Sequence, residues 1–146
     1  MREEPLTLEA EVMSTFPLFM HKVFHDFAPD TRGHTLNRTQ TRVLMIVHTH
    51  GNPHMSEVCR HLNMERGSLT PVVDELIGAG LLRRARNRTD RRKVNLALTE
   101  EGGDLVTGFL DLAQRHLDAK LRRLPAEEKR RFERAVHDLH AITKKL

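Results

Sequence analysis

The stretch that most constrains the fold runs from Leu81 to Leu98, "LLRRARNRTDRRKVNLAL". Seven of the eleven residues from Arg83 to Lys93 are Arg or Lys, and only Asp90 is acidic. Charge of this density belongs in water, yet both flanks are apolar. "LLRRA" suits a strand and "RNRTDR" is polar and turn-like. "KVNLAL" alternates, with Val94, Leu96 and Leu98 on one face and Asn95 and Ala97 on the other. The pattern predicts a β-hairpin with a charged tip, held to a core by the Val94/Leu96/Leu98 row.

The charge is local. The chain has 24 basic and 20 acidic residues, and outside Arg83–Lys93 the numbers are 17 and 19. A concentrated basic patch is the electrostatic footprint of nucleic-acid binding. The alternative is a solvated basic loop, and the neighbouring segments decide between the two.

Those segments read as helices. Leu8, Val12, Phe16, Phe19, Val23 and Phe27 recur every three or four residues, an apolar stripe that Pro17 should kink or split. A polar loop with Pro29 and Gly33 follows. A second helix is predicted over 38–49, with Asn37 as N-cap and "HGNP" as its end. Ser56 is the expected cap of a short helix "EVCRHL". The next helix, about 66–79, carries Leu69, Val72, Val73, Leu76 and Ile77 on one face and ends at "GAG". After the hairpin, Thr99 caps a long helix striped by Leu105, Phe109, Leu112, Ala113, Leu117 and Leu121. Pro125 fits the first turn of a last helix that buries Phe132, Val136, Leu139 and Ile142 or Thr143.

The expected class is mainly α with a small β-hairpin wing, a winged helix-turn-helix over 35–99. Residues 1–34 and 100–146 supply dimerisation helices, because long apolar stripes at both ends of the chain need a partner and two-fold homodimers are the commonest oligomer. Packing within one chain is the alternative. In such a fold the helix 66–79 enters the major groove by its N-terminal end. Its inner face is taken by Leu69, Val72, Val73 and Leu76, so Arg66, Ser68, Thr70 and Pro71 face out. Arg66 reaches guanine edges or a phosphate, Ser68 and Thr70 donate to phosphates or bases, and Pro71 can touch a thymine methyl. Pro71 should lie in or just after the first turn, where its missing N–H needs no partner. The tip, with Arg86, Arg88, Arg91, Arg92 and Lys93, would lie along the adjacent minor groove. Asp90 is either a bland surface acid or, the reading preferred here, the group that orients Arg92.

At this point a resemblance becomes specific. "LNRTQTRVLMIV", "SEVCRHLNMERGSLTPVVDELIGAGLLRR", "TDRRKVNLALTEEG" and two long C-terminal helices resemble the multiple antibiotic resistance regulator (MarR) family over nearly the whole chain. The resemblance implies a homodimeric regulator of transcription that binds double-stranded DNA, often a repressor, released by a small ligand, a metal or oxidation. By position it implies that Asp90 and Arg92 are the wing pair. Ser68, Thr70 and Pro71 are recognition-helix contacts, and Asn37, Arg38 and Thr39 begin a helix that can touch the DNA backbone. The partner is then a pseudo-palindromic operator.

The signal is less legible. "RGSLTPVV" resembles a peroxide-sensing branch that uses a reactive Cys in the first long helix, where this chain has none. Cys59, on the apolar face of 57–62, reads as packing. Ten histidines include the pairs His21/His25 and His137/His140 and the group His48, His50 and His54 around a turn. None has a companion set with metal-motif spacing. The zinc-sensing branch has a carboxylate and a His where this chain has Thr41 and Arg42. No metal and no required cofactor are expected. The preferred sensor is an apolar pocket lined by Phe16, Phe19, Met20, Phe24, Met45, Phe109 and Leu112, with His21 or Arg42 holding the carboxylate or phenolate of a small aromatic effector. A His-based metal-responsive regulator and an architectural DNA-binding protein are the alternatives.

Other classes are disfavoured. The sequence has no phosphate loop, HExxH, paired CxxC or nucleophile elbow, so no enzyme is expected. No apolar run nears the roughly 18–20 residues of a membrane span. One Cys allows no internal disulfide, and the N-terminus is acidic where a signal peptide is basic, so a cytoplasmic location is expected.

Overall fold

The computed structural model describes residues 7–86 and 94–146. Its elements in order are α1 (Leu8–Phe24), α2 (Arg38–His50), α3 (Met55–Leu62), α4 (Arg66–Gly78), β1 (Leu82–Arg86), β2 (Val94–Leu98), α5 (Glu100–Leu121) and α6 (Ala126–Thr143). This is the mainly helical chain with a small hairpin that the sequence implies. It forms two compact units, Pro29–Asp111 in the centre and the two termini, up to Ala28 and from Leu112 onward.

The central unit owns the core. Val43, Leu44 and Val47 of α2, Val58 and Leu62 of α3, and Leu69, Val73 and Leu76 of α4 are buried together. Leu81, Leu82, Leu96, Leu105 and Val106 join them. At about 25 cal/mol per Å² of apolar surface removed from water, each such Leu contributes on the order of 2 kcal/mol.

Local chemistry fixes the helix ends. Asn37 caps α2 in a reciprocal box, its Oδ1 accepting from the Gln40 N–H and its own N–H donating to Gln40 Oε1, each at 2.9 Å. Gly51 ends the helix in a left-handed conformation at φ 57°. The cap of α3 is His54 and not Ser56. Its Nδ1 accepts from the Ser56 N–H at 3.2 Å, and Glu57 Oε2 accepts from the His54 N–H at 2.6 Å. The imidazole nitrogen takes the place of the usual hydroxyl or carboxylate, so the helix starts one residue before the expected cap. Helix α4 ends as read, with Gly80 at φ 76° and its N–H bonded to the Ile77 carbonyl at 3.0 Å.

The hairpin pairs antiparallel, Leu82 with Leu98 through Arg86 with Val94. Its burial departs from the simple alternation. Leu96 is buried, but so is Ala97 on the opposite face, while Val94 is exposed. β2 has partners along both edges. The Leu96 N–H donates to the Pro53 carbonyl at 2.9 Å, and His54 and Asn95 form a bridge, so β2 lies between β1 and the residues before α3. Thr99 caps α5 as expected, accepting from the Gly102 N–H at 3.0 Å, and it also donates to the Gly80 carbonyl at 2.6 Å.

In the terminal unit α1 is one helix through Pro17, so of the two expected outcomes, a kink or a split, the split does not occur, and Thr7 caps the helix. The His116 ring nitrogen Nε2 lies 2.6 Å from the Val23 carbonyl oxygen, and Lys120 Nζ donates to Asp26 Oδ2 at 2.7 Å. Phe19 stacks on Phe132 at 5.6 Å between centroids. Pro125 precedes α6 as its N-cap and does not enter the first turn, and α6 buries no residue. Val136, Leu139 and Ile142, expected inside, are about half exposed, as are Val12 and Phe16 of α1. The stripes are where the periodicity puts them, but one chain does not supply enough surface to cover them.

Candidate nucleic-acid interface

Helices α3 and α4 are joined by three residues, Asn63–Glu65, with Asn63 in a left-handed conformation at φ 52°. Leu62, Leu69, Val73 and Leu76 hold the pair to the core. The N-terminal end of α4 is thereby left outward, with Arg66, Gly67, Ser68 and Pro71 exposed and Thr70 half-buried. The four N–H groups of a helix start and its positive dipole end suit a phosphate.

Two expected residues behave differently in detail. Thr70 Oγ1 donates to the Arg66 carbonyl at 2.8 Å. Its only proton is used, and it presents lone pairs and a methyl outward. Pro71 is the sixth residue of α4, in the second turn. An N–H at that position would bond to the Gly67 carbonyl, so the ring removes one helical hydrogen bond.

Asn37, Arg38 and Thr39 lie at the start of α2, and the Asn37 side chain is engaged in the capping box. Gln40 Nε2 donates to Glu75 Oε2 of α4 at 2.8 Å, which ties these two helices together. Arg86 is exposed at the outer end of β1, opposite Val94. Arg88, Asp90, Arg91, Arg92 and Lys93 lie outside the described residues.

Between α4 and the hairpin is a cleft of about 110 Å³, with Arg66, Thr70 and Val73 on the helix side and Arg84, Val94 and Leu96 on the hairpin side. Val94, at the outer end of β2, is the exposed member of this lining. Arg84 Nη2 donates to Asp74 Oδ1 of α4 at 2.7 Å. Sequence reading passed over Arg84 and Asp74. The available signal was spacing, since Arg66, Thr70 and Asp74 recur every fourth residue and so share one face of a helix.

The expected effector residues divide between the units. Phe16, Phe19, Met20 and Phe24 line an apolar groove of about 580 Å³ in the terminal unit, with Leu117, Phe132 and Leu139. Arg42, Met45 and Phe109 line a depression in the central unit, with His61. Leu112 lines neither, and His21 is exposed against the His25 ring. Among the described residues no group of three or more His, Cys, Asp or Glu side chains is placed to hold a metal ion.

A tri-helical core with an exposed helix start beside a basic two-stranded hairpin defines a winged helix-turn-helix protein. The comparisons make the class narrower. Residues 36–94, the helix-turn-helix and the first residue of β2, match the MarR family. It is 28% identical over 97 residues to the uncharacterized HTH-type transcriptional regulator YwhA of Bacillus subtilis, covering 66% of this chain and 70% of that protein. Some curated relatives are matched over about half their length, as with the 53% of TtmR from Methylorubrum extorquens. The fold is that of RV1404 from Mycobacterium tuberculosis, with a TM-score of 0.75 at 22% identity over 97% of this chain and 96% of that one. It is also similar to the PcaV transcriptional regulator of Streptomyces coelicolor, solved in complex with its natural ligand, with a TM-score of 0.59 at 20% identity over 97% and 98%. The relatives' names are those of transcription regulators and not of enzymes, and two from Bacillus subtilis are named repressors.

Proposed function

We propose that this chain is a homodimeric repressor of transcription that binds a pseudo-palindromic site in double-stranded DNA and is released by a small aromatic or carboxylate effector. The observation that carries the DNA reading is the pairing of an outward helix start with a basic hairpin in one compact unit. In this reading Arg66, Ser68, Thr70 and Pro71 meet the major groove. Asn37, Arg38 and Thr39 lie along the backbone. Arg86 leads into a wing whose Arg88, Asp90, Arg91, Arg92 and Lys93 follow the minor groove.

The apolar surface left open on α1 and α6 supports the dimer. Leu8 and Met13 are about three-quarters exposed, and Val136, Leu139 and Ile142 add a second stripe. Contiguous apolar surface of this kind marks an interaction site. A two-fold pair would set its recognition helices about 34–36 Å apart, matching half-sites one helical turn apart.

The effector reading rests on the family and on PcaV, whose structure holds a ligand. The Phe-lined groove and the Arg42 depression are its two candidate places. Among the described residues no helix is long and apolar enough to cross a membrane.

One experiment tests the core of the proposal. Selection of bound duplexes from a random pool should return a two-fold symmetric sequence. That sequence should bind about 10³-fold or more tighter than its scramble at fixed salt. A bound pool with no common sequence would replace the regulator by an architectural protein.

A further inference from the structure

We propose that Arg84 is a phosphate contact of the DNA interface and that Asp74 is its positioning residue, an assignment that rests on the DNA-binding reading above.

Arg84 of β1 lines the α4–hairpin cleft and donates to Asp74 of α4, with Nη2 to Oδ1 at 2.7 Å. Arg66 lines the same cleft from the first turn of α4. Arg66 and Arg84 therefore line one cleft, and two guanidinium groups on one cleft suit a backbone phosphate. Thr70 lines the cleft as well.

A stabilising role for the pair is disfavoured by its exposure. The side chains are 56% and 54% exposed, and open ion pairs add little to folding. Asp74 is also a carboxylate on the helix proposed to approach a polyanion, where an unpaired acid repels the ligand. Arg84 offsets that repulsion. In return Asp74 takes one edge of the guanidinium fork and fixes the direction of the rest. Arg84 has five N–H donors, so one bond to Asp74 leaves donors for a phosphate.

The test is the salt dependence of binding to a mixed-sequence duplex of about three helical turns, which needs no knowledge of the operator. The wild-type slope of log K against log salt should be steep. Arg84→Gln should flatten it by about 0.9, the share of one phosphate contact. Asp74→Asn should weaken binding several-fold with the slope unchanged, because the cation is still present. The double variant should bind no more weakly than Arg84→Gln alone, since Asp74 helps only through Arg84 and, once unpaired, only repels the duplex. Arg84→Lys should retain the slope and lose affinity with the fork. Thermal melting of each variant confirms folding, and a loss of fold would leave the slope of the remaining native protein unmoved.

A wild-type slope in folded Arg84→Gln overturns the phosphate contact. An Asp74→Asn loss that multiplies with that of Arg84→Gln overturns the positioning role. Wild-type protein that binds no duplex with any salt dependence removes the DNA reading itself, a separate and recognisable outcome.

Discussion

Gly102 of α5 sits directly beneath the carbonyl of Leu81, so close that a Cβ on it would overlap the Leu81 oxygen. The contact locks the start of α5 to the turn that leads from α4 into the hairpin. Thr99 closes the same junction with its N–H on Leu81 and its hydroxyl on Gly80.

Gly102→Ala should therefore destabilise the protein, against the usual gain of about 1 kcal/mol for replacing a helical glycine by alanine. The neighbour is backbone and cannot turn away, so a loss of 1–3 kcal/mol or more is expected. Gly103→Ala and Gly108→Ala, where an added methyl meets open space, should instead stabilise by up to about 1 kcal/mol. Urea midpoints at one protein concentration give the signs.

His54→Ala should cost about 1 kcal/mol by removing the α3 cap, and His54→Asp should recover most of it. The loss should be felt at β2 as well, because His54 bridges to Asn95. Hydrogen exchange at the Leu96 amide, bonded to Pro53, measures that spread.

Asp26 titrates below its ordinary range, chiefly because Lys120 donates to it, with burial acting in the opposite direction. His116 at 3.3 Å and His25 at 3.7 Å face the same carboxylate. A depressed carboxylate stabilises the folded state fully above its unfolded pKa of about 3.9. That contribution should be lost as pH falls through the lower folded value. In Asp26→Asn this part of the acid limb should vanish from a plot of melting temperature against pH.

Val136→Glu combined with Leu139→Glu should yield monomers by light scattering, with the central unit still folded by circular dichroism. Both residues are about half exposed. A dimer that survives both charges would place the interface elsewhere.

Ser68→Ala should change which base pairs are preferred, at about 1–3 kcal/mol per position, more than it changes the salt slope. Arg86→Ala should weaken all duplexes alike and flatten the slope. Selection repeated with each variant, together with a salt titration, separates the two kinds of contact.

Periodicity and capping chemistry determined most of the architecture, because both are written in adjacent residues. The apolar spacing of Leu69, Val73 and Leu76 defines the inner face of α4, and by elimination the outer face with Arg66 and Ser68. Asn37 and Thr99 announce helix starts through bonds that span only three residues. Tertiary structure decided whatever depends on residues distant in sequence. The pairing of β2 with Pro53 and His54 joins segments about forty residues apart. Asp74 finds Arg84 ten residues away only once the helix and strand are packed. Burial is a property of what lies opposite a side chain, so a stripe such as that of α6 can be legible in the sequence while its covering surface is not.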